Sequence, residues 1–283
     1  MANWRPLSRR DDESYDALHE GVPPWLVGSL LDFVETELTY QPANTVGRLP
    51  DSEKLKEVER KLRVPLDWSQ GGQSALGNIR YNVGDGDYFL NLVDLLLSSV
   101  GKKYEAVGVE RELAEGGSAW TVDLSGDGPF RLLRRVDATV TAAARAVMSA
   151  SGRAGQHLAK AWNEVYGRNP DPSTAYREAV RAVEAIGSPV ISPNNPKATL
   201  GTMIADMRND PKKWVVVLTP SAGDPVMMFR ETMQLLWTAE LSRHGTADES
   251  VPLDVSPSEA EAALHLAVTL VHWFHSGAIK AKT

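Results

Sequence analysis

Apolar residues recur at steps of three and four along most of this sequence, the spacing of helices that bury one face. Two stretches near the C-terminus show it best. Asp224-Pro225 offers an N-cap and a proline at the first helical position. Val226, Phe229, Met233, Leu236 and Trp237 follow at helical spacing until Arg243-His244-Gly245. Cations in a last turn suit the exposed carbonyls, and glycine tolerates a left-handed cap. After a short polar loop, Ser256-Pro257-Ser258-Glu259 makes a capping box. Ala260, Ala263, Leu264, Ala267, Val268, Val271 and Phe274 then form the stripe of a helix that stops at Ser276-Gly277.

Working from the start, residues 1–22 are polar and charge-dense and are expected to be poorly ordered. Pro23-Pro24 opens a helix through Trp25, Leu26, Leu30, Leu31, Phe33 and Val34, and a second runs from Ser52 to Leu62 with Leu55 and Val58 on one face. Asp87 is read as the cap of a nearly all-apolar helix from Tyr88 to Leu97, followed by an irregular charged stretch to Gly116-Gly117. The period then changes to two: Trp120, Val122 and Leu124 alternate with polar partners, Ser125-Gly126-Asp127-Gly128 turns the chain, and Phe130 and Leu132 alternate again. That is a β-hairpin pattern. From about Val136 every regular stretch reads as helical: an Ala-rich run at 137–150, His157 to Tyr166, and a helix opened by Asp171-Pro172-Ser173. Pro189 to Pro196 reads as a loop, and Asn195-Pro196 as the start of a helix to Met207. The fold class is therefore all-α, with a helical N-terminal region at 1–118, a small hairpin connector at 119–135 and a helical bundle at 136–283.

Composition changes this picture little. The chain has 283 residues, 42% hydrophobic and 24% charged, which is ordinary globular make-up. It lacks cysteine, so disulfides, thiolate metal sites and a cysteine nucleophile are excluded. The N-terminal residues lack the apolar core of a signal peptide, and the strongest apolar run, Trp214 to Leu218, is far shorter than the ~20 residues of a membrane helix. A cytoplasmic protein with no membrane partner is expected. The net charge of −7 is unevenly shared. From Arg131 onward there are 17 Lys and Arg against 15 Asp and Glu, whereas the preceding part has 13 against 22. A nucleic-acid ligand would have to be held by a few placed cations, not by bulk charge.

Most catalytic patterns fail. Gly72-Gln73-Ser74-Ala75-Leu76 has Leu76 where a nucleophile elbow needs glycine, and no strand precedes it. Asp85-Gly86-Asp87 lacks the remaining ligands of a calcium loop. Phosphate-loop, dinucleotide and zinc-protease signatures are missing, so no cofactor is implied. His265, His272 and His275 share the last helix, with Glu261 one turn from His265, but no further donors sit at ligand spacing; local packing explains them better than metal. Arg243-His244 differs in kind. A guanidinium offers a fork of donors suited to phosphate, and an imidazole moves protons near neutral pH. Together they suit metal-free RNA cleavage, although basic residues before a glycine also serve simply as helix caps. On the helix that starts at Asp171, Arg177, Arg181 and Glu184 make a polar stripe at i, i+4 and i+7.

A further pattern runs through the second half. His157-Leu158-x-x-Ala161-Trp162, Tyr166-Gly167, Asn169-Pro170-Asp171-Pro172-Ser173-x-Ala175-Tyr176, Ala182-Val183-Glu184 and Lys197-Ala198-Thr199-Leu200-Gly201 occur in order, followed by Ser242-Arg243-His244-Gly245. Over about 136–279 this resembles the bacterial abortive-infection C-terminal domain, which is grouped with the HEPN helical domains. The resemblance implies a helical bundle that forms homodimers and, in many such domains, a metal-independent ribonuclease used in phage defence. The family motif is Arg, then four to six residues, then His. After Arg243 those positions hold Asp248, Glu249 and Ser250, so only the adjacent His244 is available. On this reading His244 is the acid/base, Arg243 the phosphate clamp, Arg177, Arg181 and Lys197 contact RNA, and Glu184 orients an arginine. The departure from the motif leaves open a non-catalytic scaffold that recognises a phage component or a partner subunit.

Overall fold

A computed structural model describes residues 6–9, 17–43, 46–241 and 254–282, with side chains up to 238 in the third segment. The chain divides into two compact units, Met1–Arg135 and Val136–Thr283. Among the described residues it is mainly helical, with eleven α-helices and three pairs of short antiparallel strands.

The first unit contains α1 (Pro24–Leu38), β1 (Thr39–Tyr40), β2 (Leu49–Pro50), α2 (Ser52–Leu62), α3 (Gly72–Tyr81), α4 (Gly86–Leu97), α5 (Lys103–Glu115), β3 (Trp120–Val122) and β4 (Leu132–Arg134). Helix α4 is its centre: Phe89, Leu90, Leu92, Val93 and Leu97 are wholly buried, so the helix is covered on more than one side. Asp94 on α4 is also buried, and its carboxylate accepts the Leu132 N–H at 2.7 Å, which pins the hairpin to the core. The β3–β4 hairpin belongs to this unit, β3 packing on α5.

Two helices here differ from expectation. Helix α3 forms where only a failed elbow was noted, and α5 replaces the irregular charged stretch. Only Ala106, Val109 and Leu113 of α5 are buried, a stripe too narrow to stand out among seven charged or polar neighbours. The cap of α4 is Asp85, whose side chain accepts the Tyr88 N–H, so the helix begins at Gly86 and Asp87 lies inside its first turn.

The second unit runs α6 (Ala138–Ala150), α7 (Gly152–Tyr166), α8 (Pro172–Ile191), α9 (Leu200–Asn209), β5 (Trp214–Val216), α10 (Pro225–Leu241), α11 (Pro257–Ser276) and β6 (Ile279–Ala281). Helix α8 is the axis, packed along α7 and α11 with Ala175, Ala179, Ala182 and Val183 fully buried. Its neighbours come close because Gly187 has no side chain: a Cβ there would stand 3.2 Å from both the Met203 sulfur and the Phe274 ring. The expected caps of α10 and α11 form, Asp224 accepting the Val226 N–H and Ser256 and Glu259 completing the reciprocal box.

Three expectations are corrected. Helix α8 continues through Pro189 to Ile191, the proline standing two residues before the helix ends. Helix α9 starts later than Asn195-Pro196, at Leu200, because Thr199 and Thr202 form a capping box. Finally, β5 and β6 pair antiparallel, Trp214 opposite Ala281 and Val216 opposite Ile279, in a region read as wholly helical. The Arg243-His244 motif and the polar loop around it lie outside the described residues.

Candidate anion-binding cleft

Helices α7 and α8 form a hairpin whose largely apolar seam, with Leu158 and Ala161 on α7 and Ala175, Ala179 and Ala182 on α8, admits one charged group and is bordered by cations. On α7, Arg153, His157 and Lys160 fall at i, i+4 and i+7 and so share one face. On α8 the opposing position is Glu178, which sits among the buried Ala175, Ala179 and Ala182 and is itself only 2% exposed. A carboxylate in that position must be matched by donors or it would be expelled. Three supply them. His157 Nδ1 lies 2.6 Å from Oε2, while Lys160 Nζ and Arg181 Nη1 donate to Oε1 at 3.0 and 2.8 Å.

The electrostatics follow from this geometry. Burial pushes the Glu178 carboxyl up, but the bonds from His157, Lys160 and Arg181 outweigh it and hold the group at about 2. Glu178 is therefore ionised and can only accept, so His157 Nδ1 must carry the hydrogen in that bond. In the neutral imidazole Nε2 is then the basic nitrogen, and it has no hydrogen-bond partner among the described residues.

This face opens into a cleft of about 470 Å³ whose polar lining includes Arg153, His157, Arg181 and Glu184. The Arg153 side chain is exposed and unpaired among the described residues. One turn on from Arg181, Glu184 also lines the cleft, its Oε1 accepting the Leu200 N–H at 2.8 Å at the start of α9. Burial raises its carboxyl above the ordinary value, against the opposing pull of that N–H and of the Arg181 and His157 charges.

Of the residues singled out from sequence, Arg181 and Glu184 come together here. Arg177 does not line the cleft; it donates to Thr174 Oγ1 at 2.8 Å on its own helix. Lys197 is exposed, between the lining residues Pro196 and Ala198. Among the described residues Glu184 accepts no arginine hydrogen bond; it instead secures α9. Arg243 and His244 lie outside the described residues. Sequence reasoning passed over Arg153, His157, Lys160 and Glu178. The signal was present: three basic side chains on one helix face, and an acid within the inward stripe of the next.

A second polar cluster joins α7 to α11. The Tyr166 hydroxyl lies 2.9 Å from Glu261 Oε1 and 2.8 Å from His265 Nε2, with the Trp162 ring tilted against that of Tyr166 at 4.7 Å between centroids. Burial first, then the Glu261 carboxylate, raise the phenol above its ordinary value. The Tyr166 hydroxyl donates to Glu261 and accepts from His265, so both of its roles are filled inside the bundle.

Among the described residues, no group of three or more histidine or acidic side chains is placed to hold a metal, and no helix is long and apolar enough to cross a membrane. Comparison with protein families, with curated proteins and with solved structures finds no match to this chain.

Proposed function

We propose that the second unit binds RNA in the α7–α8 cleft and cleaves it without metal, in the phage-defence setting that the resemblance to abortive-infection C-terminal domains implies. One observation carries this reading: a buried carboxylate gathers an imidazole, an ammonium and a guanidinium at the wall of an open cleft, with a further guanidinium beside them that is unpaired among the described residues. Arg153 and His157 also bring an arginine and a histidine to one helix face, separated by three residues and not by the four to six of the family motif.

In this mechanism His157 Nε2 takes the proton from a ribose 2′-hydroxyl. The 2′-oxygen forms a bond to phosphorus and the bond from phosphorus to the 5′-oxygen breaks. The imidazolium returns the proton to the leaving 5′-oxygen. Arg153 and Arg181 offset the charge that grows on the phosphate oxygens, and Glu178 fixes the imidazole tautomer. The products are a 2′,3′-cyclic phosphate and a 5′-hydroxyl.

The test is incubation of the full chain with RNA in EDTA. Cleavage leaving cyclic phosphate ends, lost in His157→Ala while RNA binding persists, supports the reading. Cleavage lost in His244→Ala but not in His157→Ala would move the chemistry to the Arg243-His244 motif. A non-catalytic binding module is the second reading, favoured because Lys160 and Arg181 already spend part of their charge on Glu178. RNA bound but never cut would select it.

A further inference from the structure

The same cleft has a second half that phosphate contacts do not explain. Beyond the cations its wall is made of Glu184, Ala185 and Ser188 on α8, faced by Pro196 and Ala198. Pro189 also lines it. The acceptor in this half is the Glu184 carboxylate, which is held in place by the Leu200 N–H through Oε1. The pyrrolidine faces of Pro189 and Pro196 supply rigid apolar surface of the kind a flat ring packs against. A volume of about 470 Å³ falls within the ~300–1,000 Å³ of small-molecule sites.

We infer that this half of the cleft is a base pocket selective for guanine, with Glu184 as the specificity-determining residue; the inference rests on the phosphate-binding reading of the cationic half. The selection follows from donor and acceptor patterns. Guanine presents two neighbouring donors, N1–H and the N2 amino group, to a carboxylate. Adenine and cytosine each set one donor beside a ring acceptor, which a carboxylate repels. Uracil flanks its single donor with two carbonyls. Arg153 and Arg181 then fall on the phosphate side of the nucleotide.

Equilibrium binding of 3′-GMP, 3′-IMP, 3′-AMP, 3′-CMP and 3′-UMP to the full chain tests this directly. The expected result is 3′-GMP ahead of 3′-AMP, 3′-CMP and 3′-UMP by about ten- to a hundredfold, the advantage of one good bidentate contact. Inosine, which keeps N1–H and loses the amino group, falls between. Glu184→Gln keeps an oxygen for the Leu200 N–H, so the thermal midpoint should hold, while its amide donors remove the guanine preference. Equal binding of all five nucleotides, or a preference that survives Glu184→Gln, overturns the inference. RNA cleaved with no bias at guanine sinks this proposal and leaves the proposed function standing. Selective 3′-GMP binding without RNA cleavage does the reverse for the catalytic reading.

Discussion

Replacing Glu178 by glutamine keeps the shape of the side chain and removes one charge from the α7–α8 seam. The carboxyl is 3% exposed and held at about 2 instead of its usual 4.5, a difference of about 2.5 units. At about 1.4 kcal/mol per unit this corresponds to about 3 kcal/mol. Solvent at the half-exposed ends of Lys160 and Arg181 trims the figure to about 2 to 3 kcal/mol. The sign is fixed by the direction of the shift. A carboxylate depressed in the folded state contributes fully above its unfolded value, near pH 4.5, and its contribution is lost as pH falls through about 2. Wild type should therefore exceed Glu178→Gln by about 2 to 3 kcal/mol at pH 6, and the gap should be nearly closed at pH 2.

Urea unfolding at each pH, followed by a hydrogen-exchange pulse at one fixed labelling pH, isolates peptides of α7 and α8 from the rest of the chain. Taking the difference between the two proteins cancels every other carboxyl that titrates in the same window. A deficit of the same size at pH 6 and pH 2 would refute the reasoning, because it would show that ionisation of Glu178 is not what stabilises the seam.

Two further expectations concern packing in the same unit. Gly155→Ala should cost about 3 kcal/mol or more, seen as a lowered urea midpoint, because the new Cβ would fall 1.8 Å from the Met148 carbonyl oxygen and only backbone movement can relieve that. Tyr166→Phe should lower stability by about 1 kcal/mol in thermal unfolding; it removes the hydroxyl shared by Glu261 and His265 and leaves the ring contact with Trp162 in place.

Helices with wide stripes and good caps were legible in the sequence. Val226, Phe229, Met233 and Leu236 are buried as their spacing requires, and so are Ala260, Leu264 and Val271. What escaped was structure decided by distant partners. Strand β5 has only three residues, and its partner β6 lies beyond α11, so no local pattern announces the pair. The end of α8 escaped because proline disfavours helix on local grounds, whereas here the helix, packed along α7 and α11, runs through Pro189. The site was half legible for a similar reason. Arg181 and Glu184 stood out as charges opposite an apolar stripe, whereas Glu178 stood inside the stripe and looked like an ordinary exposed acid. Only the approach of α7 shows that it is buried and matched three times over.

The two polar clusters of this unit use similar chemistry to different ends. At Tyr166, Glu261 and His265 each group answers another, and the phenol has no donor or acceptor role left for a ligand. At Glu178 the bonds close only on the carboxylate side. Among the described residues His157 Nε2 has no partner, the arginine and lysine have donors to spare, and Arg153, at the opening, is unpaired. Stability alone does not require such an arrangement, since a buried ion cluster can often be replaced by apolar side chains of equal volume without loss. Lys160 and Arg181 are bonded to Glu178, and Glu184 lines the same cleft as Arg153 and Arg181, so little positive charge is left over there. A surplus that small cannot hold a polyanion by bulk attraction, least of all on a chain of net charge −7. Whatever binds must be recognised group by group, which is why the Glu184 carboxylate matters as much as the cations: on the proposed reading it selects the base that accompanies the phosphate.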